Sequence, residues 1–534
     1  MKNYKILTIC LLGLSTYALT SCSDADDEIT SITLKRNLSP INLDASAVSE
    51  TTAEIKWTES AHATSYNLEV FADDSLTFGG TPEKAISAIA GNTVKLTDLQ
   101  FDTKYSVRVQ AITEGDESRT STWNGIFFKT SAKQFMVNPK PADIADRSVI
   151  ISWNVEEGYD VTNIVIGTIN HQITSDEKAA GKATIEGLNP ETEYTAYLYY
   201  NGKQCGNRTF TTIADLQGAI LVHEGDNLAS IIASAEANSV LAVFPGKYRL
   251  NENEEGLCGA AKVSNNVTIK GVYPTDQPVI MGRFELYDGA ALALSQVVIN
   301  GINNATTDQI FNFKTDAVNY GALDVQNCEI VGQSDCKGIV YLNVASTVDS
   351  ITINNSIVHG ILCNGGDFID SRKGLPKYVT LTNSTFYDVA KARDFFRIDD
   401  ASGSFEGQNG PVIKVNGCTF YNIGNGASSN RFFYVRFVGN KITYTNNIMV
   451  GFNNKRGFTD QSKTDATPTL QDNYYWNCEN LTAAGVGADE KIQWFDGNGI
   501  VADPQFANAE EADFTLGADA AARKGKAGDP RWRK

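Results

Sequence analysis

The sequence has no cysteines at the C-x-x-C spacing of metal sites, although its 534 residues include nine cysteines. It also lacks an excess of basic residues, since 45 Lys and Arg face 63 Asp and Glu and the formal net charge is −18. This acidity argues against nucleic-acid binding as the main role. A dense disulfide framework is not expected either, because a chain of this length can bury large apolar cores without one.

Long apolar runs are missing, with one exception at the N-terminus. There Lys2 and Lys5 precede the apolar run 6–19, which has the pattern of a signal peptide and is too short to span a membrane. The run ends in Leu-Thr-Ser-Cys, which resembles a bacterial lipobox with Cys22 as the lipidated residue. The acidic residues 23–28 resemble the export signal of surface lipoproteins in glycan-foraging gut bacteria. We therefore expect a lipoprotein signal peptide over 1–22, an acidic linker over 23–38, and an outer-membrane lipoprotein exposed at the cell surface.

A repeat is present between residues 323 and 451. Five segments share an alternating β-branched run, then an asparagine or glycine, then a small or polar residue and a second apolar run. The shared column contains Asn327, Asn355, Asn383, Gly417 and Asn446, and it extends weakly to Gly271, Gln296 and Asn473. Its successive spacings within the five segments are 28, 28, 34 and 29 residues. Such a period predicts stacked repeats, and the alternation within each repeat predicts strands.

A parallel β-helix explains this repeat, with about three short strands per turn and turns roughly 4.8 Å apart. Asparagine tolerates left-handed backbone angles, and its amide can bond the residue above and below. The column is therefore predicted to be internal and stabilising. Cys328 and Cys418, which follow it, are predicted to be buried thiols. The alternative, asparagine-rich turns of a β-sandwich, does not explain the regular spacing.

Two regions before the repeat, 39–131 and 136–212, share one pattern of short strands. Each has a tryptophan in an alternating run, followed by a leucine and a tyrosine six positions apart. These residues are Trp57, Leu99 and Tyr105 in the first region and Trp153, Leu188 and Tyr194 in the second. The pattern resembles the fibronectin type III sandwich, in which the tyrosine closes a corner by bonding the backbone. The resemblance implies two spacer domains.

The remaining residues, 216–534, carry signals for the ends of a β-helix. Asp226 is expected to cap a short helix with an apolar stripe, and an apolar strand and Pro245-Gly246-x-Tyr248 follow. This start resembles the pectin-lyase-like right-handed β-helix, whose helix covers an exposed sheet edge. Segments 503–506 and 513–516 resemble its closing segment at the far end. The resemblance is closest to uncharacterised surface lipoproteins of pectin-degradation systems. It implies an all-β chain with two fibronectin type III sandwiches followed by a capped right-handed parallel β-helix.

The strands after the repeat segments carry charges at aligned positions. The alignment predicts two rows, Asp370, Arg397, Tyr434 and then Arg372, Asp399, Arg436. Residues 337–460 hold 13 Lys and Arg against 9 Asp and Glu, so this stretch is basic on an acidic molecule and suits an anionic glycan. Arginine matches a uronate carboxylate, and a tyrosine ring can stack on a sugar. The predicted glycan-binding residues are Arg372, Arg397, Tyr434 and Arg436. The alternative is a solvated salt-bridge ladder.

The first functional hypothesis is a lipid-anchored surface protein that binds an acidic, pectic polysaccharide without cutting it, beside other glycan-uptake proteins. The second is cleavage, because members of the superfamily that the chain resembles cleave pectate by β-elimination with an Arg or Lys base and a calcium-held carboxylate. The candidate bases are Arg397, Arg436 and Lys373, and the candidate calcium ligands are Asp370, Asp394, Asp399 and Asp400. The lyase motifs are not intact, since no Asp-His pair and no Arg-x-Pro-x-x-Arg occur, so enzyme status stays open. A structural or adhesive role is the third hypothesis.

Overall fold

The computed structural model describes residues 35–154, 159–424, 430–483 and 492–534. The predicted leader, Cys22 and most of the acidic linker lie outside the described residues. Two compact units can be distinguished, of which the first contains the N-terminal sandwich and the second contains the β-helix. In the parts of the chain that the structure describes, no helix is both long and apolar enough to cross a membrane.

The N-terminal sandwich is antiparallel. Its strands are β1 (Ile41–Ala47), β2 (Ala53–Thr58), β3 (Ser65–Ala72), β4 (Lys84–Ile89), β5 (Thr93–Leu96), β6 (Lys104–Ile112) and β7 (Asn124–Lys129). They form the sheets β1-β2-β5 and β4-β3-β6-β7, and Trp57 is buried in the core between them. The Tyr105 hydroxyl accepts a hydrogen bond from the Gln100 amide at 2.8 Å, so the predicted tyrosine corner is present.

The second region contributes strands to both units. Its elements are β8 (Ser148–Ser152), β9 (Asn163–Ile166), β10 (Ile169–Gln172), α1 (Ser175–Ala180), β11 (Lys182–Glu186), β12 (Glu193–Tyr200) and β13 (Lys203–Thr211). One sheet has the order β10-β9-β12-β13, and β8 pairs with β11. Here the Tyr194 hydroxyl accepts from the Asn189 amide at 3.0 Å, the same local bond as in the first sandwich.

The β-helix fills the rest of the chain. It begins with β14 (Ile220–Val222), α2 (Leu228–Ser234), β15 (Ser239–Val243), β16 (Lys247–Arg249), β17 (Ala260–Val263), β18 (Val267–Gly271), β19 (Val279–Met281), β20 (Arg283–Leu286), β21 (Leu292–Ser295), β22 (Val298–Asn300), β23 (Phe311–Phe313), β24 (Asn319–Tyr320), β25 (Leu323–Gln326), β26 (Glu329–Val331) and β27 (Val340–Leu342). It continues with β28 (Thr347–Asn354), β29 (Ile357–His359), β30 (Ile369–Ser371), β31 (Leu375–Thr382), β32 (Thr385–Tyr387), β33 (Phe396–Ile398), β34 (Val412–Asn416), β35 (Thr419–Tyr421), β36 (Phe433–Val435), β37 (Lys441–Thr445), β38 (Ile448–Val450), β39 (Thr469–Gln471), β40 (Tyr474–Trp476), β41 (Ile500–Val501) and α3 (Ala521–Lys524).

Three parallel sheets form its walls, so the all-β fold with a parallel β-helix is confirmed. The eleven-stranded sheet runs from β14 to β39, the ten-stranded sheet from β16 to β41, and the seven-stranded sheet from β17 to β36. The predicted alternation sets the faces, since Val379 and Leu381 of β31 point into the core. Aromatic rings also stack from turn to turn inside, as Phe395 does on Phe432 at 4.7 Å between ring centres.

The asparagine column forms a corner between the eleven-stranded and ten-stranded sheets. Asn327, Asn355, Asn383, Gly417 and Asn446 all have φ between 47° and 66°, as predicted from their tolerance of left-handed angles. At the ends of the column the prediction was partly wrong. Asp472, not Asn473, occupies the last position with φ 54°, and Gly271, beside Gln296, does not have a positive φ.

The column is not internal, which corrects the prediction. Asn355 is exposed and its neighbours are half-buried. Asn355 donates to the Asn327 side chain at 2.5 Å, but Asn383 and Asn446 donate instead to Asn354 and Asn416. At this corner, a residue with a left-handed backbone angle points its side chain toward solvent. The residue whose side chain points into the core is therefore the next one in the sequence.

The inner ladder is formed by these next residues, Cys328, Ser356, Ser384, Cys418, Asn447 and Asn473, all of them buried. The Ser356 hydroxyl accepts from the Cys328 amide at 3.1 Å, and Ser384 accepts from Ser356 at 3.0 Å. Asn447 accepts from Cys418 at 2.9 Å, and Asn473 accepts from Asn447 at 3.0 Å. Side chains on one turn therefore satisfy backbone amides of the turn before, and the predicted burial of the two thiols is confirmed.

The ends of the β-helix differ from the prediction in two details. The cap of α2 is Asn227, whose side chain accepts from Ser230, whereas Asp226 accepts from the His223 amide. The helix does pack its apolar stripe on the end of the core. The segment from Asp503 onward does not close the far end, because it runs back along the outer side of the ten-stranded sheet, with Phe514 against Tyr387 and Tyr421.

Candidate functional site

The outer face of the seven-stranded sheet carries the predicted charged rows. In the strand register Asp370 lies beside Arg397, and Arg397 lies beside Tyr434. Arg372, Asp399 and Arg436 follow directly after β30, β33 and β36, and backbone hydrogen bonds of 2.9 and 2.7 Å hold Asp399 and Arg436 in line. The structure therefore brings together the residues of both predicted rows.

Two of the predicted glycan-binding arginines are engaged by carboxylates. Arg372 pairs with Asp370 and, at 2.9 Å, with Asp367, and both carboxylates are buried. Burial is the main reason that the pKa of Asp367 lies above its ordinary value, and the nearby Asp370 adds to the effect. Arg397 donates to Asp399 at 3.2 Å. This part of the face is the salt-bridge ladder that the alternative interpretation predicted.

Tyr434 holds three guanidinium groups around its ring. The central carbons of Arg397, Arg431 and Arg436 lie 5.1, 4.9 and 5.8 Å from the ring centre. Arg436 also donates to the Tyr434 hydroxyl at 3.2 Å. The electron-rich faces of the ring attract these cations and let them gather closely. In the structure the Tyr434 ring is in contact with three guanidinium groups, whereas the sequence analysis predicted that this ring stacks on a sugar.

Arg431, which is not among the predicted glycan-binding residues, lies at the centre of this face. It pairs with Asp460 at 2.5 Å and with Asp394 at 3.4 Å, and the two carboxylates are only 5% and 9% exposed. Burial raises the pKa of Asp394 to about 7, and Arg431 only partly offsets this. The sequence did hold the signal, because Asp367, Asp394 and Arg431 each precede an aligned phenylalanine and form a third row.

A cleft of about 280 Å³ opens beside these groups. Its walls include Asp367, Arg393, Asp394, Arg397, Arg431 and Tyr434. Within the described parts of the chain, Lys373, Arg393 and Arg436 have no carboxylate partner, and Lys373 and Arg393 are exposed. Arg393 lines the cleft together with Tyr434, and Arg436 lies 5.8 Å from the centre of the Tyr434 ring. These two arginines are therefore the cations near the ring that an anionic ligand can use.

The four candidate calcium ligands are not assembled into one group. Asp370, Asp394 and Asp399 pair with Arg372, Arg431 and Arg397 respectively. Asp400 pairs with Lys463 at 2.5 Å, and the hydrogen bond from this lysine is the main cause that lowers its pKa to about 2. Over the described ranges, no three His, Cys, Asp or Glu side chains are placed to hold a metal ion.

Three segments of the chain match the models of known protein families. Residues 38–123 match the fibronectin type III domain, which agrees with the observed N-terminal sandwich. Residues 246–389 match a domain of unknown function (DUF4957), and residues 413–532 match another domain of unknown function (DUF5123). The charged rows cross this division, since Arg372 lies in the first of these two matches, Arg436 in the second, and Arg397 between them.

Solved structures with a similar fold include a two-domain fibronectin type III segment from chicken tenascin. It is 18% identical, covers 33% of this chain and 99% of its own, and gives a TM-score of 0.23. A fibronectin type III domain of the human collagen alpha-1(XX) chain is 24% identical, covers 20% of this chain and 94% of its own, and gives a TM-score of 0.16. These likenesses concern the sandwich fold alone.

Proposed function

We propose that the protein binds an acidic polysaccharide of the pectic type in the cleft beside Tyr434. The observation that carries the proposal is the pair Arg393 and Arg436, two cations without a carboxylate partner among the described residues. Arg436 contacts the Tyr434 ring, which also holds Arg397 and Arg431, and Arg393 lines the same cleft as Tyr434. Carboxylates of a uronate chain would find a guanidinium fork at each of these two positions without breaking an existing ion pair.

The neighbouring ion pairs support this role indirectly. The buried Asp367 pairs with Arg372 at 2.9 Å and with Arg397 at 3.6 Å, which fixes Asp367 and Arg397 in the wall of the cleft. Turns of a parallel β-helix repeat roughly every 4.8 Å, which lets successive turns present groups to successive sugars of an extended chain. Exposed charge pairs contribute little each, so binding will be modest and will weaken as salt rises.

The test compares two double variants that remove the same charge. Arg393→Ala with Arg436→Ala is expected to weaken binding to polygalacturonate by at least about tenfold, with an unchanged melting temperature. Lys247→Ala with Lys414→Ala removes two exposed cations elsewhere on the β-helix and is expected to bind normally. Binding is measured by affinity electrophoresis and titration calorimetry. Equal weakening by both double variants, or by neither, would contradict the proposed site and favour the structural or adhesive role.

Cleavage of the same glycan is the second candidate, and Asp394 is the observation that favours it. A carboxyl group with a pKa of about 7 beside several arginines is suited to proton transfer near neutral pH. Of the bases predicted from the sequence, Arg397 is held by Asp399, whereas Arg436 and Lys373 have no carboxylate partner in the described chain. Incubation with polygalacturonate and calcium, followed by ultraviolet absorbance of the unsaturated product, separates cleavage from binding, with Asp394→Asn as the control.

We also propose that the protein is anchored in the outer membrane through a lipid on Cys22 and faces outward. The support is the lipobox pattern and the acidic residues that follow it. Cys22→Ala is expected to move the protein from the membrane fraction to the soluble fraction, as measured by fractionation and immunoblotting. Unchanged partition of the variant would contradict the anchor.

A further inference from the structure

A groove follows the asparagine corner along the outer edge of the ten-stranded sheet, and the C-terminal segment lies in part of it. Gly528 donates its amide to the Asn446 carbonyl at 2.8 Å. The buried Asp529 accepts from the Thr385 hydroxyl at 2.8 Å and donates its amide to the Thr419 hydroxyl at 2.9 Å. Arg531 donates to the Asn355 side chain at 3.1 Å. The groove thus already binds a segment of the chain through hydroxyl and amide groups.

Past Arg531 the groove continues as an open cleft of about 430 Å³. This volume lies in the range of small-ligand sites, ~300–1,000 Å³. Its lining includes Gln277, Gln296, Asn327, Glu329, Asn355 and Arg531. The lining is therefore rich in amides, and the cleft lies on a different wall of the β-helix from the arginine-rich site.

The hydrogen bonds within the lining fix the direction of its amides. Gln277 donates to the Gln296 side chain at 3.0 Å and to the Asn327 carbonyl at 3.1 Å. Asn355 donates to the Asn327 side-chain oxygen at 2.5 Å. The side-chain oxygens of Gln296 and Asn327 are thereby occupied, while among the described residues their NH₂ groups have no acceptor. Two preoriented donors remain for a ligand.

Glu329 supplies the acceptor. One of its carboxylate oxygens bonds His359 at 2.9 Å, and no described residue donates to the other oxygen. The bond from His359 is the main cause that lowers the pKa of Glu329, which keeps this group ionised at neutral pH. Arg531, the cation of the lining, is already paired with Asp529 at 2.9 Å, so an acidic ligand would have to share it.

We propose that this cleft is a second carbohydrate site and that it binds a neutral sugar residue. Adjacent ring hydroxyls each donate and accept, so they match two amide donors next to a carboxylate acceptor. A uronate would instead bring a second negative charge beside Glu329. The site therefore selects against the acidic sugars that the cleft beside Tyr434 is proposed to bind, and the two sites are independent.

The test uses saturation-transfer NMR and titration calorimetry on the full chain, with β-linked galactotetraose and glucotetraose as neutral probes and tetragalacturonate as the acidic one. At least one neutral probe is expected to bind at millimolar concentration. Asn327→Gly is expected to weaken this binding at least about tenfold, because it removes one donor while glycine keeps the left-handed angle. Asn383→Gly, the same change in the same column outside the cleft, is expected to bind normally.

Three results would overturn the proposal. The first is that neither neutral probe binds, and the second is that Asn327→Gly binds them as the unaltered protein does. The third is that Asn383→Gly weakens binding equally, because the change would then act through the fold. Glu329→Gln provides a second variant, for which equal binding of neutral and acidic probes is expected. The Arg393/Arg436 double variant should keep neutral binding, so failure of the arginine-rich site is distinguishable from failure of this one.

Discussion

The inner ladder and the charged rows are both polar columns that climb the same β-helix, but they use their polar groups differently. In the inner ladder, Ser356 and Ser384 each satisfy one backbone amide of the turn before, and the same bond recurs at Asn447 and Asn473. In the charged rows the pairing changes from turn to turn, and among the described residues Arg436 has no carboxylate partner. Regular repetition thus builds the fold, whereas the irregular pairing leaves a cation to which we propose that a ligand binds.

Among the variants that test this contrast, the largest loss of folding free energy is expected for a substitution of Arg431. Arg431→Ala leaves the nearly buried Asp394 without its ion-pair partner and leaves Asp460 with Arg456 alone, and breaking a buried pair typically costs about 3–5 kcal/mol of folding free energy. Arg393→Ala removes an exposed arginine that has no ion pair in the described structure, and we expect a change of under about 0.5 kcal/mol. Chemical denaturation of both variants measures the difference. A stable Arg431→Ala protein would mean that the ion pairs contribute little to the fold.

The inner ladder is tested by Ser384→Ala. The change leaves the buried amide of Ser356 without an acceptor, so we expect a loss of about 1–3 kcal/mol. Ser350→Ala is the matched control. Ser350 lies in β28 of the same sheet and is half-buried, and its side chain makes no hydrogen bond to the described residues. Equal denaturation midpoints for the two variants would show that the ladder does not stabilise the turns.

The stability that the asparagine column contributes should depend more on its left-handed backbone angle than on the side-chain amide. Asn383 has φ 50°, and Gly417 occupies the same position in the next turn with φ 66°. Asn383→Ala is therefore expected to cost about 1 kcal/mol, because a left-handed angle disfavours alanine. Asn383→Gly should cost less. If Asn383→Gly loses as much stability in thermal melting as Asn383→Ala, the hydrogen bond from Asn383 to Asn354, which both variants lack, matters more than the backbone angle.

The fold was largely predictable from the sequence because a β-helix repeats its pattern. The spacing of the asparagines predicted the turns, and it also predicted that Asp370, Arg397 and Tyr434 lie side by side. The errors fell where two residues fit one pattern, as at the column end, where Asp472 and not Asn473 takes the left-handed angle. The path of the C-terminal segment was not predictable, since bonds such as Thr385 to Asp529 join residues 144 positions apart.

The candidate site was predictable in position but not in pairing. The predicted register of the rows is the observed one. The sequence could not say, however, that Arg372 is paired with Asp370 while Arg436 donates to Tyr434 instead. Pairing depends on which carboxylates become buried and on side-chain reach, and neither follows from the repeat period. The clustering of three arginines on Tyr434 has the same origin, because strand order alone does not place Arg431 over the ring.

The smallest expected effect concerns pH and tests whether Asp394 regulates the cleft. Because burial raises the pKa of Asp394 to about 7, this carboxyl is protonated in the folded protein at mildly acidic pH and ionised above neutrality. The stability that this raised pKa contributes is fully present below 3.8, the ordinary pKa of the group, where the folded and the unfolded chain are both protonated. This contribution is lost as pH rises from about 4 to about 7, since the unfolded chain releases the proton first.

Binding of polygalacturonate should follow the same titration. Ionised Asp394 adds a negative charge to the wall of the cleft that Arg393 also lines, so affinity should fall by about three- to fivefold between about pH 6 and about pH 8. Asp394→Asn cannot ionise and should remove this dependence while leaving affinity near the value at pH 6. Calorimetry at constant ionic strength measures both proteins. A pH profile that is the same in the variant would assign the titration to another group and would leave Asp394 with a structural role beside Arg431.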